Sequence, residues 1–242
     1  MSVAGRGNDA LEIANVSVRY GGVIALDAVS LRVPRGMVVG LIGPNGAGKT
    51  SLINAITGVV RPASGTIALG KLRLDRLAQH RVARAGIART YQNVRLFARL
   101  SVGDNVRTGA FARRTALDDA HTRALLQRTG MTETNLRRRA GTLPYGEQRR
   151  LEIARALAAE PAIVLLDEPA AGMNPRETSA LRDVIFGVAH AGIGVLLVEH
   201  DMSLVSAVCE RVVVLDFGKT IAAGTPREVA RDPAVVEAYL GT

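Results

Sequence analysis

Gly43-Pro44-Asn45-Gly46-Ala47-Gly48-Lys49-Thr50, followed by Ser51, decides the fold, because it fits the pattern G-x-x-x-x-G-K-[ST]. The apolar run Met37-Val38-Val39-Gly40-Leu41-Ile42 precedes it, and the residues from Ser51 to Thr57 read as a helix closed by Gly58. The order is strand, glycine-rich loop, helix. Glycines let the backbone turn with its N–H groups pointing inward, and the start of the helix adds partial positive charge. Lys49 then reaches the β- and γ-phosphates of a nucleoside triphosphate, and the Thr50 hydroxyl binds Mg²⁺. The residues Gly43 to Ser51 form the predicted nucleotide cradle.

Working outward, 242 residues with 48% hydrophobic content support a sizeable packed core. Met1 to Asp9 contain no apolar leader segment, and no eighteen apolar residues run together, so neither secretion by the usual signal nor a membrane-spanning helix is expected. The single cysteine, Cys209, stands in an apolar context and reads as a buried structural thiol in a cytoplasmic protein. A formal net charge of +9 suits nucleotides, anionic lipid headgroups or nucleic acid without choosing among them. Aromatics at 3% leave few stacking platforms for single-stranded nucleic acid, so no nucleic-acid partner is expected. The runs Arg113-Arg114 and Arg137-Arg138-Arg139 read as solvated faces.

Ahead of the loop, alternation from Leu11 to Val33 around Gly21-Gly22 predicts antiparallel strands. Thr66 to Leu69 reads as another short strand, and Gln79 to Gly86 as a basic helix. From Ser101 to Gly141 the character becomes helical, with Ser101 to Asp104 as a capping start and helical spacing from Ala116 to Arg128. The stretch from Leu143 to Glu147 opens a further helix from Gln148 to Ala159, stopped by Pro161. Three apolar runs follow, Ile163 to Leu166, Val195 to Val198 and Val212 to Leu215, apolar at consecutive positions as in strands buried on both faces of a parallel sheet. Asn174-Pro175-Arg176-Glu177 and Thr225-Pro226-Arg227-Glu228 read as capped helix starts.

Asp167 and Glu168 end the first of those late strands. A carboxylate at the C-terminal edge of a parallel strand, beside a phosphate loop, can hold a Mg²⁺ shell through Asp167, while Glu168 can take a proton from an attacking water. His200 lands on the same sheet edge, where it could sense a γ-phosphate.

With these elements in place, the chain resembles the ATP-binding cassette (ABC) ATPases of membrane transporters from Leu11 to Thr242. Tyr20 matches the aromatic that stacks on adenine, Gln92 the glutamine loop, Leu143 to Glu147 the family signature, and His200 the switch histidine. The resemblance implies a P-loop NTPase (RecA-like) α/β core, an N-terminal antiparallel β subdomain and an inserted α-helical subdomain. The implied boundaries are 11–92 and 142–242 for the core and 93–141 for the insertion. Gln92 is implied both in catalysis and, with Thr50 and Asp167, in holding Mg²⁺. Pro144, Tyr145, Gly146 and Glu147 are implied to complete the ATP site of a second ABC ATPase subunit packed head to tail. Leu96 and Phe97 read as core or as a groove that receives a permease.

The wording of Arg89 to Phe97, Tyr145 to Arg155 and Leu166 to Pro175, with the ending Ala238-Tyr239-Leu240-Gly241, is similar to the ATP-binding subunit of high-affinity branched-chain amino acid importers. That class implies transmembrane permease subunits, a distinct second ATPase, a periplasmic or lipid-anchored solute-binding protein, and a peripheral place on the cytoplasmic membrane face. Uptake of urea, amides or aromatic acids and export of lipopolysaccharide are the alternatives within the family. A nucleic-acid-associated ABC ATPase is the alternative outside transport, and the lack of an Asn-Lys-x-Asp motif argues against a GTPase. Two departures stand out. Pro144 and Tyr145 replace the serine and first glycine of the general signature, removing two donors and predicting a weaker ATP site there in a heterodimer. Asn174 replaces an aspartate, as a helix cap or as a contact across the interface.

Overall fold

Alternation in the first part of the chain and unbroken apolar runs in the second produce two different sheets. The computed structural model describes residues 10–113, 116–131 and 135–240. Met1 to Asp9, Arg114, Gly241 and Thr242, named above, lie outside the described residues.

Leu11–Tyr20 (β1) and Val23–Val33 (β2) pair antiparallel, with Tyr20 opposite Val23 across the Gly21-Gly22 turn. Val38–Ile42 (β3) then enters the phosphate loop, which opens Lys49–Ile56 (α1). Ser64–Leu69 (β4) returns to the free edge of β1, and Leu72–Arg73 (β5) completes an antiparallel sheet of order β2-β1-β4-β5. Gln79–Ala85 (α2) leads into Ile87–Arg89 (β6).

Val102–Gly109 (α3), Asp119–Arg128 (α4) and Tyr145–Leu157 (α5) follow. Ser101 caps α3 by accepting from the Asp104 N–H, as its sequence predicts. Helix α4 begins later than the apolar spacing suggests, because the Asp118 carboxylate accepts from the His121 N–H and sets the cap there. Helix α5 starts three residues before Gln148, so Tyr145, Gly146 and Glu147 form its first turn. Val102, Val106, Leu126, Leu136, Leu143 and Leu151 pack into a small core of their own.

The remaining chain alternates strand and helix: Ile163–Asp167 (β7), Pro175–His190 (α6), Gly194–Val198 (β8), Met202–Val208 (α7) and Arg211–Asp216 (β9). Lys219–Gly224 (β10), Pro226–Val229 (α8) and Pro233–Leu240 (α9) end it. The second sheet has the order β10-β9-β3-β8-β7-β6, parallel except where β10 turns back on β9. Every residue of β3, β7 and β8 is buried, which is why those strands are apolar at consecutive positions. One face of the sheet packs with α1 against the antiparallel sheet, the other against α5, α6 and α7. Cys209 lies in the second of these cores, and burial pushes its thiol up to about 12, so it is a packed, inert side chain. Among the described residues, no helix is long and apolar enough to cross a membrane.

Parallel strands share a direction, so the C-terminal ends of β3, β6, β7 and β8 lie along one edge. That edge gathers the phosphate loop, Gln92, Asp167 with Glu168, and His200.

Candidate functional site

The phosphate loop takes its shape from residues that carry no side chain. A Cβ on Gly43 would stand 2.0 Å from the Leu215 carbonyl oxygen, and one on Gly48 2.6 Å from that of Ala25. Both glycines have left-handed or otherwise positive φ, 145° and 105°. Gly48 is also the N-cap of α1 and supplies no capping side chain, so the first N–H groups of the helix point outward for an anion. Pro44, Asn45, Gly46, Ala47, Thr50 and Ser51 complete the cradle, with Asn45, Gly46 and Thr50 exposed. The buried Lys49 ammonium donates to the carbonyls of Gly43 at 2.6 Å and Pro44 at 2.9 Å. Burial lowers the pKa of this lysine, and the nearby Glu168 and Asp167 carboxylates oppose that shift.

Asp167 ends β7 as the sequence predicts, and Glu168 follows directly after it. Asp167 is buried, and its Oδ2 accepts from Arg89 Nη2 at 2.9 Å. Glu168 stands at φ 46°, a left-handed conformation that is rare for a residue with a side chain. Its N–H donates to the Val198 carbonyl at 2.9 Å, and its Oε2 accepts from Gln92 Nε2 at 2.9 Å. The structure therefore joins Gln92 and Glu168 across 76 residues of sequence. The His200 imidazole, 64% exposed, sits 3.8 Å from Glu199. Tyr20 is exposed at the β1–β2 turn.

Glu199 and Arg149 received no role from the sequence. Glu199 is 1% exposed and accepts from the N–H groups of Ala170 at 2.9 Å and His200 at 3.2 Å, tying the segment after Glu168 to the segment carrying the histidine. Burial raises its pKa, and those N–H groups hold it back in part. Arg149 is also 1% exposed. Its guanidinium donates to the carbonyls of Tyr91 and Gln92 and, through Nε, to the Tyr145 hydroxyl at 3.1 Å, with Glu152 at 3.5 Å. The sequence signal for Glu199 is a charge directly after the apolar run Val195 to Val198, and Arg149 shows none, since Arg150, Glu152 and Arg155 stand beside it.

At the start of α5, Pro144 is the N-cap and brings no capping side chain. The Tyr145 ring lies 5.4 Å from the Arg149 guanidinium, and Gly146 is pressed against Glu177, whose Oε1 would stand 2.5 Å from a Cβ there. Glu147 is 4.0 Å from Arg138. Asn174 is a helix cap: its Oδ1 accepts from the Arg176 and Glu177 N–H groups at 3.0 Å, and Glu177 Oε2 accepts from the Asn174 N–H at 3.0 Å. Arg137, Arg138 and Arg139 are exposed, as expected.

Two cavities flank the edge. One, of about 520 Å³, is lined by Arg89, Tyr91, Phe97, Phe111 and Arg155, with Phe97 and Phe111 exposed and Leu96 packed against the small helical core. The other, of about 590 Å³, separates the phosphate loop from α9. Burial raises the pKa of Tyr239 on α9, and the Gly43 N–H opposes that shift.

Comparison with known proteins matches residues 26–171 to the ABC transporter family, and residues 219–242 to a family described as branched-chain amino acid ATP-binding cassette transporter. The chain is 40% identical to the high-affinity branched-chain amino acid transport ATP-binding protein BraF of Pseudomonas aeruginosa, over 96% of this chain and 97% of that protein. It is 38% identical to the lipopolysaccharide export ATP-binding protein LptB of Escherichia coli at the same coverage. Among solved structures, the ADP conformation of an ATP-binding cassette of an ABC transporter superposes with a TM-score of 0.88 at 28% identity, covering 97% of this chain and 99% of that one.

Proposed function

This chain belongs to the ABC transporter ATPases, and from that membership we propose that it energises a bacterial importer of branched-chain amino acids. The observation that carries the catalytic reading is the hydrogen bond between Gln92 and Glu168 beside the buried Lys49, at one edge of the sheet. The cargo reading rests on 40% identity over nearly the whole chain to a branched-chain amino acid transport ATPase, together with the C-terminal match.

In this reading ATP lies along the strand ends. Tyr20 stacks on adenine, and the N–H groups from Gly43 to Ser51 cradle the phosphates. The Lys49 ammonium exchanges two neutral carbonyl acceptors for charged phosphate oxygens. The oxygen donors Thr50, Gln92 and Asp167 suit Mg²⁺, a hard cation that binds one or two carboxylates together with substrate phosphates. Bound there, the ion would neutralise phosphate charge. Glu168 takes the proton of the attacking water, and Gln92 holds its carboxylate in place. His200, exposed and next to the anchored Glu199, contacts the γ-phosphate. Pro144, Tyr145, Gly146 and Glu147 present the start of α5 to the ATP of a second ATPase subunit, with the Tyr145, Gly146 and Glu147 amides as donors. Because Pro144 has no N–H, that site is the weaker of the two.

In the same reading the groove lined by Arg89 and Tyr91 receives a segment of the permease, and the chain sits at the cytoplasmic membrane face. A solute-binding protein outside the membrane delivers cargo to the permeases.

The test is ATPase activity of the chain alone and with its second ATPase, permeases and binding protein in lipid, across a panel of amino acids. Stimulation by leucine, isoleucine or valine is the expected result. Stimulation by another solute alone would keep the ATPase and discard the cargo. In the same assembly, Glu168→Gln should keep ATP binding and slow hydrolysis by about 10²- to 10⁴-fold, and normal turnover would remove Glu168 from its role. Equal losses on disabling either ATP site would overturn the asymmetry.

A further inference from the structure

Asp167 does not stand alone at the strand end. Arg89, the last residue of β6, donates from Nη2 to Asp167 Oδ2 at 2.9 Å and from Nη1 to Asn54 Oδ1, on α1, at 2.8 Å. Its guanidinium also lies 4.8 Å from the centre of the Tyr91 ring, on which Arg95 stacks at 4.3 Å. Both partners of the ion pair are nearly buried, with side chains 11% and 9% exposed. Arg89 Nε is buried with no hydrogen-bond acceptor among the described residues. A guanidinium that leaves one buried donor unpaired to satisfy two other contacts has had its orientation chosen by those contacts. One of them joins the helix that follows the phosphate loop, and the other joins the carboxylate. A charge-assisted bond of this geometry fixes the rotamer of Asp167, which otherwise sits beside the like charge of Glu168.

We infer that Arg89 is a positioning residue for Asp167: it holds that carboxylate, and through Asn54 registers it against α1, in the orientation that a divalent cation arriving with the nucleotide requires. The inference rests on the reading of this edge as the Mg²⁺-nucleotide site. Groups that orient a metal-binding side chain are worth roughly 10- to 100-fold in metal affinity. Removal of a merely structural arginine would disturb nucleotide binding with and without metal alike.

The experiment measures Mn²⁺ affinity of the full chain at saturating ADP by electron paramagnetic resonance, and ADP affinity in EDTA by calorimetry. Arg89→Ala should weaken Mn²⁺ binding about tenfold and leave metal-free ADP affinity within about twofold, with Arg89→Lys recovering part of the loss. Unchanged or tighter Mn²⁺ binding in Arg89→Ala would overturn the inference, as would equal losses in both measurements. Asp167→Asn separates the two levels: if it leaves Mn²⁺ affinity as in the unmodified chain, the metal-site reading itself fails, whatever Arg89 does.

Discussion

At the phosphate loop a single added carbon would collide with backbone, 2.0 Å from Leu215 at Gly43 and 2.6 Å from Ala25 at Gly48. At the start of α5 the backbone is held instead by side chains: Arg149 ties the helix to Tyr91 and Gln92, and Glu177 presses on Gly146. The first region is set by space that must stay empty. The second is set by contacts that must be filled. The difference predicts how each fails, since an overfilled loop cannot relax, whereas a lost side chain leaves a helix that can still form.

The largest effect should come from Gly43→Ala, which combines a backbone collision with a φ that alanine resists. A loss of about 4 kcal/mol in chemical unfolding is expected, with nucleotide binding lost by calorimetry. Arg149→Met should cost about 3 kcal/mol, because the Tyr91 and Gln92 carbonyls lose their buried donor and Glu152 keeps only Arg155 as a charged partner, yet the isolated chain should still bind ADP. Loss of ADP binding in that variant would erase the distinction between the two regions. Asn174→Ala removes a cap that accepts two N–H groups and should cost about 1 kcal/mol with ATPase within about twofold. A drop in activity well beyond the drop in stability would instead give Asn174 a part at the subunit interface.

The smallest effect lies outside both regions and calibrates the acid limb of unfolding. The Arg73 guanidinium and the Ile67 N–H hold the Asp75 carboxyl down at about 2, so its contribution is present above the ordinary carboxylate range and lost as pH falls from about 3.8 through about 2. Asp75→Asn should therefore differ from the unmodified chain at pH 7 and converge with it near pH 2 in urea midpoints. A constant difference would show that the pair does not titrate in this range.

The same contrast explains what the sequence reveals. Glycine spacing, the lysine after it and the acid pair after an apolar run are local, so the phosphate loop and the end of β7 are legible from neighbouring residues. The alternating and unbroken apolar patterns likewise separate the two sheets. Strand order is not local: nothing near β3 says that it lies between β8 and β9. The same holds for Arg89 with Asp167, 78 residues apart, and Arg149 with Gln92, 57 apart. Arg89 and Arg149 look like ordinary surface charges until the fold buries them. Glu199 was hidden in the same way, as one more acid beside a histidine. The start of α5 lies three residues ahead of the one its sequence suggests, because Pro144 gives no side-chain cap to read.

Glu168, at φ 46°, sits where a glycine would be at ease. Strain of this kind is worth on the order of 1–3 kcal/mol, and the bond from its N–H to Val198 helps keep it in place. On the proposed reading, the carboxylate is a point where the chain trades durability for work. Selection for a sturdier fold alone would favour a glycine here, and the reading of this edge as an ATPase centre explains why a glutamate remains.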